Sequence, residues 1–352
     1  MNILLFCFIS SSCLFYNTKS FRSPIHKIVC RNSLLVKNHL LILFVNKKED
    51  EYKEKEKEKR IIITKKCNSL WKLTRPINIF PTFLLSFCGS WIIQPSTSLL
   101  TSKKFWITSL ITNLIMSSSM VINDIYDMKI DKINHHERPL INGDLTKTEA
   151  ILFTGALISI TEYLNIHFLS SLNQGIIHSI ILFIFLYSPV FKKITFIKNI
   201  SCASLISFSL FFSSMTPNIM LSSHKNFGLL AITMSILFLA SWYNELLLDM
   251  YDLEGDKQNK ISTVPVVFGN DFSWVFAHII LTYNTISNVL SFYYLYDPFR
   301  ASLLFVIFLP FYQNLYNIKK MNYDKQIILK TVYDTSKSLF ILLFYICSLS
   351  TL

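Results

Sequence analysis

The sequence predicts an all-α membrane protein, a polytopic bundle of about nine transmembrane helices. Three observations carry this. The chain of 352 residues is 51% hydrophobic and only 16% charged, whereas soluble domains carry about 25% charged residues. Its apolar residues fall into nine segments, near 77–96, 105–124, 148–169, 174–191, 199–221, 227–249, 272–296, 299–317 and 334–351. Most have the roughly 17–25 residues that cross a bilayer core as a helix; the fourth and ninth are shorter. The loops after even-numbered segments hold fourteen Lys and Arg. Those after odd-numbered segments hold only Lys103, Lys104, Lys225 and Arg300. That asymmetry places the even loops on the cytoplasmic, stromal or matrix-like face. A transmembrane β-barrel would instead alternate polar and apolar residues.

Ahead of the bundle lie two segments of other character. Residues 1–48 contain no Asp or Glu. "ILLFCFISSSCLF" has the length of a signal-peptide core, and the basic, hydroxylated stretch after it is like a transit peptide. Together they suit an organelle reached through the secretory route, a secondary plastid, in preference to the mitochondrial inner membrane. Residues 49–67 include "EDEYKEKEKEKR", a Lys/Glu run with no apolar face to bury, and read as a linker. The transmembrane domain is expected over 68–352.

Net charge is +12. The positive residues sit between apolar runs with no basic-aromatic stripe, so the expected partner is the lipid bilayer and not nucleic acid. Seven scattered Cys with no C-x-x-C give neither a disulfide framework nor a zinc site.

The chemistry concentrates after segments two and six, on one face of the membrane. "NDIYDMKIDKINHHERP" carries Asp124, Asp127 and Asp131. "NELLLDMYDLEGDKQNK" carries Asp249, Asp252 and Asp256. Both triads are spaced i, i+3, i+7, which shares one face of a helix. Two such faces opposed make a mouth of six carboxylates, and these repel one another unless a cation lies between them. Mg²⁺ suits that role, since it prefers oxygen ligands and is commonly held by carboxylates together with substrate phosphates. The nearby Arg138, Lys192, Lys193, Lys198 and Lys257 offer contacts to phosphate oxygens. A single Asp triad is as often an exposed helical face; two of identical spacing on equivalent helices are not.

These motifs resemble those of the UbiA-type intramembrane prenyltransferases, N-D-x-x-D-x-x-x-D and D-x-x-D-x-x-x-D. "LTRPINIFP" resembles the family's first-helix opening, "YSPVFKKITFIKNI" its segment after helix four, and "STVPVVFG" the tail of its second motif. The resemblance covers about residues 68–352 and implies a UbiA-like fold. It also implies a prenyl diphosphate donor and a hydrophobic or aromatic acceptor.

On that basis Asp124, Asp127, Asp249 and Asp252 would hold Mg²⁺, with Asp131 and Asp256 as further ligands or as partners of the bases. Arg138 and Lys192 or Lys193 would bind the remaining diphosphate oxygens. Asn123 would orient a ligand, and Asn78 shares the pocket by resemblance alone. Where many relatives have a basic residue before the second motif, this chain has Leu248; Lys192 or Lys257 would compensate. Tyr126, Tyr187 and Tyr243 are candidates for cation–π contact with an allylic cation, or for core and interfacial packing. Glu245, one turn before Asp249, is a candidate acceptor-side base or a structural partner. Glu162 and His167 read as interfacial residues, and His135–His136 as a loop pair.

The first motif's form is shared by chlorophyll synthases, homogentisate prenyltransferases and archaeal-type enzymes that prenylate a glycerol phosphate ether. The leader favours a quinone, tocopherol or chlorophyll acceptor. Two other classes fit the sequence less well. A CDP-alcohol phosphotransferase needs a D-G-x-x-A-R sequence, which this chain lacks. A cation transporter places its acids in broken mid-membrane helices, whereas these lie at helix ends.

Overall fold

The computed structural model describes residues 51–134, 136–216 and 224–351. The proposed leader therefore lies outside the described residues, as do His135 and the end of the fifth apolar segment. The chain divides into two compact units, Met1–Thr64 and Lys65–Leu352. In the first, residues 51–64 are helical and exposed, as a Lys/Glu run with no apolar face must be. The second begins three residues before the boundary expected at 68, because Lys65 and Lys66 pair with Asp144 and Glu149.

The second unit is helical, with no strand among the described residues. A helical segment α1 (65–73) leads into a single-turn 3-10 helix, Pro76–Asn78. There follow α2 (Ile79–Ile93), α3 (Lys103–Asn134), α4 (Lys147–Phe168), α5 (Ser171–Tyr187), α6 (Ile197–Ser214) and α7 (His224–Tyr251). A short α8 (Leu253–Gln258) precedes α9 (Val264–Leu295), α10 (Pro298–Lys320) and α11 (Lys325–Leu349). Eight of these helices are long and apolar enough to cross a membrane; α5, at 17 residues, is the shorter ninth. The protein is thus an integral membrane protein.

Three boundaries differ from those expected, each for a local reason. α3 does not stop near 124 but runs to Asn134, because Asp124, Asp127 and Asp131 are buried on one face instead of solvated. α11 starts at Lys325, since Asp324 caps it by accepting from the Gln326 and Ile327 amides. α9 starts at Val264 but is broken at Gly269, whose φ of 84° few other residues adopt.

α7 is the central helix, packed against α6, α9 and α11. Its residues Leu229, Ile236, Leu246 and Leu247 are fully buried. α2 lies close on α6: a Cβ on Gly89 would come within 2.1 Å of the Leu210 carbonyl oxygen, and Ser90 Oγ donates to the Ser213 carbonyl at 2.7 Å. Small residues permit such backbone approach where lipid supplies no hydrophobic drive between helices. α4 starts on a capping box, with Thr146 Oγ1 accepting from the Glu149 amide and Glu149 returning the contact. Exposed apolar side chains such as Leu152, Ile279 and Phe344 face outward, as a lipid-facing surface requires.

Candidate active site at the mouth of the bundle

The first motif folds as its spacing dictates. On α3 the three aspartates are buried to 3%, 5% and 3% exposure, while Tyr126 is exposed on another face. Beyond the helix the chain turns back, and Arg138 Nη1 reaches Asp131 at 2.5 Å and Asp124 at 3.1 Å. Asp124 also accepts from Arg75 Nη2 at 2.8 Å. Arg75 stands in the left-handed region, with φ 50°, costing roughly 1 kcal/mol for a residue with a Cβ. That turn joins α1 to Pro76 and aims the guanidinium at α3.

The second motif departs from the expected single helix. Asp249 is on α7, Asp252 caps α8 and Asp256 lies within α8. Asp249 is paired with Lys198 of α6 and accepts from Asn199 Nδ2 at 2.8 Å. Lys198 follows Phe196, a second left-handed residue, with φ 68°. Lys192, in the 3-10 turn between α5 and α6, pairs with Asp127 and donates to Asn123 Oδ1 at 3.3 Å.

Both motifs open into one cavity of about 610 Å³. Its polar end is lined by Asp127, Asp131, Asp252 and Asp256 together with Arg75, Arg138, Lys192 and Lys198. Its other end lies among Ile115, Ile180, Leu205, Phe208 and Phe212 of α3, α5 and α6. Of the remaining residues singled out from sequence, Asn123, Tyr187, Glu245 and Leu248 line this cavity. Asp124 and Asp249 lie behind its wall as partners of the cations. Asn78 is not in the lining, though Arg75 and Thr82 on either side of it are. Lys193 and Lys257 are exposed and outside it, as is Tyr126, and Tyr243 belongs to the apolar core. Lys198 of α6, and not Lys257, supplies the cation beside Leu248. Glu162 and His167 make separate contacts outside it: Glu162 Oε2 meets His178 Nε2 at 2.9 Å, and His167 Nδ1 meets the Tyr163 carbonyl at 2.9 Å.

The electrostatics explain this arrangement. Carboxylates brought out of water repel one another and each is stabilised by a cation within reach. Four of the six aspartates, Asp124, Asp127, Asp131 and Asp249, pair with four protein cations, and no three acidic, His or Cys side chains among the described residues converge as a ready-made metal site. The balance remains acidic. Burial pushes the Asp256 carboxyl up to about 6, with Asp249 and Asp252 adding repulsion against the opposing pull of Lys198 and Lys192. Asp256 Oδ2 is buried with no hydrogen-bond partner among the described residues. An orphaned hard oxygen in an acidic, oxygen-only cluster fits a divalent cation such as Mg²⁺.

The fold and site thus define a helical membrane enzyme whose charged chamber opens into an apolar one, suited to a lipid with an anionic head. The chain belongs to the UbiA prenyltransferase family, whose model matches residues 80–342, and it is a prenyltransferase. A digeranylgeranylglyceryl phosphate synthase from Methanococcus maripaludis (strain C7) is 26% identical over 256 residues, covering 71% of this chain and 86% of that protein. One from Methanoculleus marisnigri is 31% identical over 213 residues, covering 58% and 70%. Among solved structures, a UbiA homolog from Archaeoglobus fulgidus bound to GPP and Mg²⁺ has a TM-score of 0.57 at 17% identity, covering 80% of this chain and 99% of its own. A structure concerning digeranylgeranylglyceryl phosphate synthase in membranes has a TM-score of 0.60 at 22% identity, covering 80% and 98%. These two likenesses are of fold.

Arg75 was not among the residues the sequence singled out, and Lys198 appeared there only as one of five nearby bases. Arg75 had a visible signal in "LTRPINIFP", but its role depends on the turn that carries it to α3.

Proposed function

We propose that this enzyme transfers a prenyl group from an allylic prenyl diphosphate to a membrane-embedded hydroxyl acceptor of the prenylglycerol phosphate type, with release of diphosphate. One observation carries the reading: a single cavity joins two aspartate motifs and four cations to an apolar chamber. A diphosphate suits the first part and a prenyl tail the second. The acceptor class is supported by relatives named digeranylgeranylglyceryl phosphate synthase. It takes precedence over the quinone, tocopherol and chlorophyll acceptors, whose support was the leader alone. The plastid address rests on the same leader, and a fusion of residues 1–60 to a fluorescent protein tests it.

Each part of the chain has a task in this reaction. Asp124, Asp127, Asp249 and Asp252 would hold Mg²⁺, with Asp131 and Asp256 completing the set. When bound, Mg²⁺ supplies Lewis-acid neutralisation of the charge developing on the diphosphate. Arg75, Arg138, Lys192 and Lys198 now hold carboxylates, and would exchange them for phosphate oxygens when the donor arrives. The apolar lining excludes water, which would otherwise capture the allylic cation. Tyr187 presents an aromatic ring to the same cavity, where cation–π attraction contributes about 1–2 kcal/mol.

The test is an assay of membranes carrying the enzyme with labelled geranylgeranyl or farnesyl diphosphate, Mg²⁺ and an acceptor panel. The panel holds a prenylglycerol phosphate, homogentisate, a 4-hydroxybenzoate and chlorophyllide. Transfer to the glycerol phosphate, lost in Asp124→Ala and Asp249→Ala, is expected. Transfer only to an aromatic acceptor overturns the acceptor class. Cation flux without diphosphate release overturns the reaction.

A further inference from the structure

Two carboxylates of the cavity have no part in the scheme above, the exposed Glu137 and the more deeply placed Glu245. Glu245 of α7 lines the cavity, yet among the described residues it makes no ion pair, unlike Asp127 and Asp249. It stands four residues before Asp249, about 6 Å further along the helix axis into the membrane. That depth is the junction between the charged end and the apolar chamber. With the diphosphate at the aspartates and the tail in the chamber, the reacting carbon of the donor lies at this level.

Other polar groups meet the cavity at its wall. The Cys202 thiol of α6 donates to Tyr187 Oη at the end of α5 at 3.0 Å, and both residues line the cavity with Glu245. Three helices thus contribute polar side chains to one cavity. An acidic side chain within a transmembrane helix is costly, and its presence in a cavity marks a functional candidate. Transfer to a hydroxyl also requires a base, and the ion-paired aspartates of the mouth are engaged in binding charge.

We propose that Glu245 is the proton acceptor for the incoming acceptor molecule. The inference rests on the prenyl-transfer reading. In the step, the carbon–oxygen bond of the donor breaks and its electron pair leaves with the diphosphate. A lone pair of the acceptor hydroxyl forms the new carbon–oxygen bond. The hydroxyl proton passes to the Glu245 carboxylate, which then releases it to water at the cavity mouth.

The experiment separates donor ionisation from transfer. Glu245→Gln keeps the size and hydrogen bonding of the side chain but cannot take the proton. Removing a general base lowers the rate by roughly 10²–10⁴-fold. So Glu245→Gln is expected to lose transfer to the prenylglycerol phosphate by about a hundredfold or more. Affinity for geranylgeranyl thiodiphosphate should stay within about twofold of wild type, and diphosphate release without acceptor within about threefold. Glu245→Ala leaves room for a small carboxylate, so added formate is expected to restore its transfer by about tenfold. Transfer by Glu245→Gln within threefold of wild type overturns the proposal. So does parallel loss of donor binding in Glu245→Gln, or no formate rescue of a folded Glu245→Ala that binds donor. A wild-type enzyme that releases no diphosphate from any prenyl donor overturns the prenyl-transfer reading, and this inference with it.

Discussion

Arg138 donates to the Asp131 carboxylate at 2.5 Å, across seven residues of the same motif. The same guanidinium also meets Asp124, so one side chain ties the end of α3 to the turn that follows it. Arg138→Gln leaves two buried carboxylates short of a partner, at a cost of about 1–3 kcal/mol. It is expected to lower the thermal midpoint in detergent and to weaken donor binding by at least tenfold. Arg138→Lys keeps the charge but not the fork that spans two carboxylates, and should recover stability only in part. Full donor affinity in Arg138→Gln would remove Arg138 from the diphosphate site.

Asp124 and Asp249 sit at equivalent points of the two motifs, each behind a cation that lines the cavity. Their conversion to Ala removes a candidate metal ligand and frees Arg75 or Lys198 at once. Loss of one preorganised electrostatic group costs about 10²–10³ in rate. Each variant is therefore expected to lose at least a hundredfold in prenyl transfer, measured by product extraction, while still folding. Retention of more than a tenth of wild-type activity by either would argue against its place in the site.

The apolar chamber has a floor. Along α3 the cavity's lining runs from Asp131 at the polar end to Thr112, nineteen residues or about 28 Å at the helical rise. At the far end Phe208 and Phe212 of α6 stack at 6.3 Å. Phe212→Ala deepens the chamber there. It is expected to raise the relative kcat/KM for a donor one isoprene unit longer by about tenfold, in line with the weight of a few methylenes in an apolar pocket. Product chain lengths read by mass spectrometry decide it. An unchanged preference would place the tail elsewhere.

Gly89 is a close approach of α2 to α6. A methyl group there meets the Leu210 backbone at 2.1 Å, and a backbone oxygen cannot swing aside as a side chain can. Gly89→Ala is expected to part the two helices, costing about 1–3 kcal/mol by overpacking, and to lower the thermal midpoint. Because α6 also carries Lys198 and Asn199 to Asp249, activity should fall with stability. A wild-type midpoint in Gly89→Ala would show that the helices adjust at little cost.

Much of this molecule was legible in its sequence, and the residues show why the rest was not. Nine apolar runs and the loop charges were enough for the helices, because both follow from the bilayer's thickness and its sidedness. The aspartates were legible because their spacing matches the helical period. Arg138, Lys192 and Lys198 could be listed among the nearby cations, but which aspartate each cation meets could not be read. Lys257 is Asp256's neighbour in sequence but is exposed, while Lys198, 51 residues from Asp249, makes the pair. Arg75 lies 49 residues from Asp124 and reaches it by way of a left-handed turn. Tertiary juxtaposition of this kind leaves no local periodicity to read. The break of the second motif at Tyr251–Asp252 was likewise hidden, since i, i+3, i+7 spacing is satisfied by one helix and equally by a helix end joined to a short helix.

Asp256 gives the site a pH dependence whose sign follows from burial. Its carboxyl is pushed up to about 6, above the ordinary range near 4. Without metal, the folded protein therefore holds this proton more tightly than the unfolded chain does. That preference favours the fold at acid pH, fades as pH rises from about 4 to 6, and is gone above 6. Mg²⁺ requires the ionised carboxylate, so its binding below pH 6 displaces a proton. Apparent Mg²⁺ affinity should be about tenfold weaker at pH 5 than at pH 7, for a one-proton exchange. Asp256→Asn should bind Mg²⁺ more weakly at pH 7 and show little change down to pH 5. Thermal midpoints measured across a Mg²⁺ titration at each pH supply the affinities. Equal affinity at the two pH values in the wild-type protein would mean that Asp256 is not a ligand of the metal.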